Sequence, residues 1–171
     1  MKKIVCVFTV CFFITVLHGQ GISDAQALEK AKKILQESPL IDGHNDLPWV
    51  IRTLKTNARK VEAFDLKKRQ EGDTDIPRLR EGMVGAQFWS VYIPANISSG
   101  YTKAQMEQID IALRMMDLYP DDFEHAKTAD DVMRIFKSGR IAGLLGMEGG
   151  KAIENSLAAL RMFYRLGARY M

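Results

Sequence analysis

The sequence predicts an α/β fold with a parallel sheet, on three observations. Apolar, strand-like segments alternate with amphipathic, helix-like segments along the chain, an order typical of right-handed β/α units. The segment 141–147 is almost wholly apolar, as expected for a parallel strand that is covered on both faces. Two strand-like segments run directly into histidine or acidic side chains, and parallel folds bind ligands at the carboxyl ends of their strands.

Residues 1–19 are predicted to be a secretory signal peptide rather than part of the fold. Two lysines precede an apolar run over residues 4–17, and small residues that offer cleavage positions follow it. The run is shorter than the roughly 20 residues that a bilayer-spanning helix needs. Both cysteines, Cys6 and Cys11, lie in this segment, so the remainder of the sequence has no disulfide framework.

The charge balance gives no support for a nucleic-acid partner. The chain carries 24 lysine and arginine residues against 21 aspartate and glutamate residues, and two of the lysines belong to the signal segment. Residues 20–171 are therefore nearly neutral, and they are numerous enough for one hydrophobic core. We interpret the basic clusters at 67–69 and 78–80 as solvated surface.

The segment before the first strand has the signature of a capped helix. Ser23 is the expected N-cap and Gln26 its capping-box partner, and the helix is expected to end at Glu37, before Pro39. Its apolar residues recur at helical spacing and lie on one side of the helix; they are Leu28, Ala31 and Leu35.

Residues 40–46 read Leu-Ile-Asp-Gly-His-Asn-Asp and are predicted to form a buried strand. Side chains two apart in a strand project to the same side, so His44 and Asp46 should direct an imidazole and a carboxylate to one place. Pro48 prevents the ladder from continuing, and Gly43 is expected to permit tight packing or a turn. The alternative is a plain turn, in which Asp46 caps the next helix.

A second strand is predicted over residues 84–93, which are rich in β-forming residues and end at Pro94. The short helix before it has Asp75 as its expected N-cap and Gly82 as its stop. An aromatic residue in a strand belongs to the core more often than to a substrate pocket. Both roles remain open for Trp89.

Three further helices are predicted in the second half of the chain, at 102–119, 128–138 and 154–166. His125 lies in the polar connection between the first two, where no neighbour has ligand spacing, and is interpreted as a surface histidine. The inward positions expected from the helical repeat are Met106, Ile109, Leu113 and Met116 in the first helix and Leu157, Leu160 and Tyr164 in the third.

The third strand, 141–147, ends at Glu148, and a fourth is expected to begin at Arg169. A carboxylate after such an apolar run is costly unless it meets water or a cation. Because parallel strands end at one edge of the sheet, His44, Asp46 and Glu148 are expected to converge there. Imidazole with carboxylates suits zinc or another divalent first-row ion, and one carboxylate can bridge two ions.

Three stretches of the chain share the motifs of one known family. They are residues 41–49 (Ile-Asp-Gly-His-Asn-Asp-Leu-Pro-Trp), 75–79 together with 85–92, and 146–150 (Gly-Met-Glu-Gly-Gly). Together they resemble the membrane dipeptidase (renal dipeptidase) family of zinc peptidases. The resemblance implies that residues 20–171 are the N-terminal portion of a TIM-like (β/α)8 metal-dependent hydrolase barrel.

The same resemblance implies the chemistry of the site. His44 and Asp46 are expected to bind one zinc ion, and Glu148 to bridge it to a second. The implied reaction is hydrolysis of dipeptides by a hydroxide held between the two ions. No catalytic residue is identifiable beyond these ligands. A barrel of this kind needs about 250 residues, so we expect activity of the full-length protein rather than of this chain, which we interpret as an N-terminal fragment.

The resemblance and the signal segment also imply a location and partners. An extracellular enzyme, secreted or held on the plasma membrane by a C-terminal lipid anchor, is expected, together with a homodimer. Asn96 begins the sequon Asn-Ile-Ser and is a candidate for glycosylation. Two other functions remain open: a noncatalytic secreted product that associates with full-length subunits, and a related metallohydrolase that acts on another amide, such as a lactam.

Overall fold

The computed structural model of the chain describes residues 23–171, so the predicted signal segment lies outside the described residues. Within this range, six α-helices surround five strands, and no helix has the length and apolar character needed to cross a membrane. The elements in chain order are α1 (Asp24–Glu37), β1 (Leu40–Asn45), α2 (Leu47–Arg52), α3 (Ile76–Glu81), β2 (Val84–Ser90), α4 (Tyr101–Asp117), β3 (Phe123–His125), α5 (Ala129–Lys137), β4 (Ile141–Gly146), α6 (Leu157–Leu166) and β5 (Ala168–Tyr170), with 3₁₀ turns at Val61–Ala63 and Gly150–Ile153.

The strands form one parallel sheet, which confirms the predicted fold class. Strand β2 lies between β1 and β4, and the outer side of β4 is shared by two short strands. Strand β3 pairs with the first half of β4, and β5 pairs with its last two residues. Strand β3 was not predicted, because three residues are too few to show a periodic pattern. It nevertheless extends the sheet at the end where β4 begins.

The main core lies between the sheet and α4. Trp89 is fully buried and meets Phe123 edge-on, with ring centroids 5.7 Å apart, so the core interpretation of Trp89 is confirmed. Helix α4 buries Ile109 and Met116 as predicted, but Met106 is exposed. The inward stripe of α4 instead begins at Gln105, whose side chain donates to the Val91 carbonyl.

One prediction of helix packing is wrong. The inward residue of α6 is Phe163, whereas Leu157 and Tyr164 are 65% and 62% exposed, so a different face of α6 is turned inward. Helix α1 has the predicted capping box but buries no residue, and Leu28 is exposed. A helical repeat defines an apolar face, but burial also needs a partner, and the described residues place none over α1.

Strand β1 also differs from its prediction, because it is exposed rather than buried. It lies at an edge of the sheet, with β2 on one side only among the described strands. Its register with β2 contains an irregularity: Asp42 pairs with Gln87 and Asn45 pairs with Trp89. Two residues of β1 therefore stand opposite one residue of β2, which is a β-bulge. Bulges bend a strand and redirect its side chains, and this one contains His44, the first candidate ligand.

Candidate metal centre

The structure brings the three predicted ligands together at the carboxyl edge of the sheet. His44 Nε2 lies 3.2 Å from Asp46 Oδ1 and 3.9 Å from Glu148 Oε2. One potential ligand atom of each residue lies within 4.8 Å of those of the other two. All three side chains are about half exposed, so an ion can reach them from solvent. One imidazole and two carboxylates fit the donors that zinc prefers.

The Asp46 carboxylate is not used to cap α2, so the capping alternative is wrong. Asp46 occupies the N-cap position, but its side chain makes no capping hydrogen bond. The neighbouring Asn45 takes that role, because its Oδ1 accepts from the Leu47 N–H at 3.0 Å. Asn45 Nδ2 in turn donates to Thr74 Oγ1 at 2.9 Å. Because Asn45 caps α2, the Asp46 carboxylate is left to face His44.

The bulge formed by Gly43 and His44 is held by a side chain of its own strand. Asp42 Oδ1 accepts a hydrogen bond from the His44 N–H at 3.1 Å, a local turn that aspartate favours. Of the two roles predicted for Gly43, the turn agrees with this bulge and tight packing is wrong, because a Cβ at this position would meet no atom within 4 Å. The chain changes direction here because of the bulge and not because another part of the protein packs closely against Gly43. An Asp-Gly pair before the ligand was the signal in the sequence that could have revealed this turn.

The segment after Glu148 is anchored to the start of α4. The Thr102 hydroxyl donates to the Ala152 carbonyl at 2.9 Å, and Glu154 Oε2 accepts from the Thr102 N–H at 3.1 Å. Hydrogen bonds from Thr102 hold the pKa of the Glu154 carboxyl below its usual range. Glu154 and Asn155 both have positive φ, 45° and 60°, which is why α6 begins after them rather than at Glu154 as predicted.

Tyr170 is a residue of the site that the sequence did not reveal. Its hydroxyl donates to the Gly43 carbonyl at 2.9 Å, and its ring centroid lies 5.1 Å from that of Phe88. Burial, followed by the negative charges of Glu148, Asp46 and Asp42, raises the pKa of the Tyr170 phenol, so the hydroxyl keeps its proton. No local pattern signals this role, because Gly43 and Tyr170 are 127 residues apart.

His125 is not the surface histidine that was predicted. It belongs to β3, and its Nε2 is buried without a hydrogen-bond partner among residues 23–171. Burial, together with the positive charges of Lys127 and Arg169, lowers the pKa of His125 to about 4. Because β3 pairs with the first half of β4, His125 lies towards the end of the sheet opposite Glu148 and is not a ligand.

Two cavities lie at opposite ends of the sheet. One of about 310 Å³ adjoins the ligands, with Asn45 and Asp46 in its wall together with Phe64 and the segment 71–74. A larger one of about 560 Å³ lies at the opposite end of the sheet, where β2 begins at Val84, and contains none of the predicted ligands.

Asn96, the predicted glycosylation site, is exposed in the loop between β2 and α4.

Comparisons with known proteins give the same family as the motifs. The model of the membrane dipeptidase family (peptidase family M19) matches residues 28–171. Dipeptidase ataJ of Aspergillus terreus is 43% identical over 152 residues, which cover 84% of this chain and 37% of that protein. Dipeptidase 3 of Rattus norvegicus is 41% identical over 150 residues, which cover 87% of this chain and 30% of that protein.

A solved structure agrees. The crystal structure of the dipeptidase AC, a metallopeptidase of family M19, superposes with a TM-score of 0.58 at 28% identity, covering 77% of this chain and 41% of that one. The chain thus spans about a third of the length of the curated relatives that it matches. Because the family model matches most of the chain, and the parallel fold and the motif residues agree with it, the chain belongs to the membrane dipeptidase family, peptidase family M19.

Proposed function

We propose that the full-length protein is a zinc-dependent dipeptidase, and that residues 20–171 form the N-terminal portion of its (β/α)8 barrel and provide the first ligands of a two-metal site. The observation that carries the proposal is the convergence of His44, Asp46 and Glu148 within 4.8 Å in a chain of the membrane dipeptidase family. Since the chain spans about a third of its curated relatives, the activity is proposed for the full-length protein.

Each ligand has a separate role in this proposal. His44 would offer its Nε2 and Asp46 a carboxylate oxygen, and together they would hold one ion. Glu148 comes from another strand and has two oxygens, so it can contact that ion and a second one. Zinc bound there supplies Lewis-acid polarisation of the scissile carbonyl and lowers the pKa of the attacking water, which allows hydrolysis near neutral pH.

The cavity beside Asp46 supports a small substrate. Its volume of about 310 Å³ lies at the lower end of the roughly 300–1,000 Å³ that ligand pockets occupy. A dipeptide fits into this volume, and Asp46, one of the proposed ligands, lines the wall of the cavity.

Zinc content tests the metal site. In the full-length protein we expect Glu148→Gln to lose most of both ions, whereas His44→Ala and Asp46→Ala should each keep about one, because each removes a ligand of one ion only. Glu29→Gln is the matched control, because Glu29 is a similarly exposed glutamate on α1. Elemental analysis after dialysis gives the stoichiometry. Near-normal zinc in Glu148→Gln would remove the bridging role.

A substrate panel tests the reaction. The purified full-length protein should hydrolyse unblocked dipeptides and leave N-blocked peptides and lactams intact. Hydrolysis of lactams in preference to dipeptides would support the alternative amide substrate. A zinc-loaded, folded protein that cleaves none of these substrates would contradict the proposed dipeptidase activity.

We also propose a secretory route for the protein. Residues 1–19 would act as the signal peptide, and the exposed Asn96 would accept a glycan. The lipid anchor on the extracellular face of the plasma membrane and the homodimer are proposed from the family resemblance. A glycosidase-sensitive mass shift that disappears in Asn96→Gln would support the route, and a cytosolic protein that retains residues 1–19 would contradict it.

A further inference from the structure

We propose that Tyr170 is a positioning residue that sets the separation between the two strands carrying the metal ligands. The inference rests on the proposed metal site and adds a residue that is not itself a ligand. It follows from where the ligands stand in the sheet, from the contacts of Tyr170, and from the glycine that makes room for its ring.

The ligand-bearing strands are not neighbours. Strand β2 lies between β1 and β4, and since adjacent strands are about 4.8 Å apart, β1 and β4 are separated by about 10 Å. No backbone ladder joins the two strands directly. His44 Nε2 and Glu148 Oε2 nevertheless approach to 3.9 Å, so their spacing depends on whatever else connects β1 to β4.

Tyr170 makes that connection. Its backbone carbonyl accepts a hydrogen bond from the Met147 N–H at 3.0 Å, one residue before Glu148. Its hydroxyl donates to the Gly43 carbonyl at 2.9 Å, one residue before His44. Between these two points the ring passes beside Phe88 of the intervening strand. A single residue thus contacts all three strands and touches the two ligand segments immediately before their ligands.

The hydroxyl also acts at the place where β1 is least constrained by its ladder. Gly43 and His44 occupy the bulge, where two residues of β1 stand opposite Phe88. A bulge leaves its extra residue without a ladder partner. Here the Gly43 carbonyl accepts from Tyr170 and the His44 N–H donates to Asp42, so side chains hold the backbone that directs His44 towards the other ligands.

Gly146 provides the space that this path requires. A Cβ on Gly146 would lie 2.1 Å from Cζ and 2.2 Å from the hydroxyl oxygen of Tyr170. The backbone at Gly146 does not have a positive φ, so conformation alone does not require glycine there. The ring of Tyr170 accounts for the absence of a side chain at this position of β4.

The test is Tyr170→Phe in the full-length protein, because this substitution keeps the ring and removes only the hydroxyl. We expect the dissociation constant for zinc, measured by competition with a chromogenic chelator, to rise about 10-fold. We also expect the visible absorption bands of the cobalt-substituted protein to shift, while the melting temperature of the metal-free protein stays close to that of the wild type. Tyr164→Phe, which alters an exposed tyrosine on α6, is the matched control and should change none of these.

The outcomes separate this inference from the proposed function. If the wild type binds zinc and Tyr170→Phe binds it with the same affinity and the same cobalt spectrum, the positioning role is wrong and the metal site stands. If the metal-free melting temperature falls enough to explain the weaker binding, the residue is merely structural and the inference is also overturned. A wild type that binds no zinc removes the proposed function itself.

Gly146→Ala gives a second, independent test. The added methyl group should displace the Tyr170 ring and weaken zinc binding to a similar extent. Combined with Tyr170→Phe, it should add little to the dissociation constant, because both changes interrupt the same contact. Independent, multiplying effects would contradict the proposed path. If Gly146→Ala does not fold, the result for Tyr170→Phe alone decides.

Discussion

The Asp75 carboxylate is buried against the Arg78 guanidinium, with Oδ2 2.7 Å from Nε. It also accepts from the Arg78 N–H at 2.9 Å, as the N-cap of α3, and from the Gln70 N–H at 3.1 Å. Burial alone would raise the pKa of Asp75, but these hydrogen bonds outweigh it and hold the pKa below the usual value. One carboxylate therefore fastens the loop at Gln70 to the helix that leads into β2.

Asp75→Asn should lower the free energy of unfolding by about 2–3 kcal/mol, because hydrogen bonds to a buried charged group are lost. Urea denaturation measures the change, and Asp73→Asn, at an exposed position two residues earlier, is the control. The pKa of Asp75 is depressed on folding, so its contribution is present above the unfolded pKa of about 3.9 and is lost as the pH falls through the folded pKa. A cost equal to that of the control would contradict the stabilising role of the buried charge.

His125 should make the fold sensitive to mild acid. Its pKa is about 4 in the folded chain and about 6.5 unfolded, so protonation favours the unfolded state and stability falls as the pH drops from about 6.5 to 4. We expect a loss of about 1–2 kcal/mol, less than the whole shift implies because the ring is partly exposed and screened.

The comparison that isolates this effect is His125→Gln, since many carboxylates titrate in the same range. Urea midpoints at pH 7 and pH 4.5 should differ less in the variant than in the wild type. Equal differences would mean that burial of the neutral ring has no bearing on acid sensitivity.

Gly85→Ala should destabilise the chain by about 1–3 kcal/mol through overpacking. A Cβ there would lie 2.6 Å from Cβ of Pro39 and 2.9 Å from Cδ2 of Phe136. Gly43 is the matched control, since a Cβ would meet nothing within 4 Å, and Gly43→Ala should stabilise by about 0.4–1 kcal/mol by restricting the unfolded chain. Thermal unfolding of the two variants distinguishes them, and a reversed order would be incompatible with the packing described.

Glu154→Gln should lower the melting temperature, because Glu154 supplies the side-chain cap that the Gly100 N-cap of α4 lacks. The depressed pKa of Glu154 means that its contribution is present above the unfolded pKa of about 4.3 and disappears as the pH falls through the folded pKa. Glu29→Gln is the control. If the variant and the wild type differ as much at pH 3 as at pH 7, the charge of Glu154 is not what stabilises the helix.

The sequence predicted the parts of the fold that rest on local patterns. The strands over residues 84–90 and 141–146 have continuous β-forming or apolar character, and the capping box of α1 follows from side chains three residues apart. The meeting of His44, Asp46 and Glu148 was also predictable, because the carboxyl ends of parallel strands share an edge.

What the sequence did not predict depends on contacts between distant segments. The burial of His125 requires a strand of three residues whose only signal is its pairing with β4. The exposure of β1 and α1 depends on what lies over them, which a periodic pattern does not encode. The bulge at Gly43 arises from the register with β2, and the hydrogen bond from Tyr170 spans 127 residues.

That span also has a consequence for how the protein is made. At a synthesis rate of roughly 5–20 residues per second, the ribosome adds Tyr170 about 6–25 s after Gly43. During this interval the histidine and aspartate of β1 are already synthesised, but the hydroxyl that holds their strand does not yet exist. In the proposed metal site, the geometry of the first ligands would therefore be fixed only after β5 has joined the sheet, rather than at the moment at which these ligands emerge.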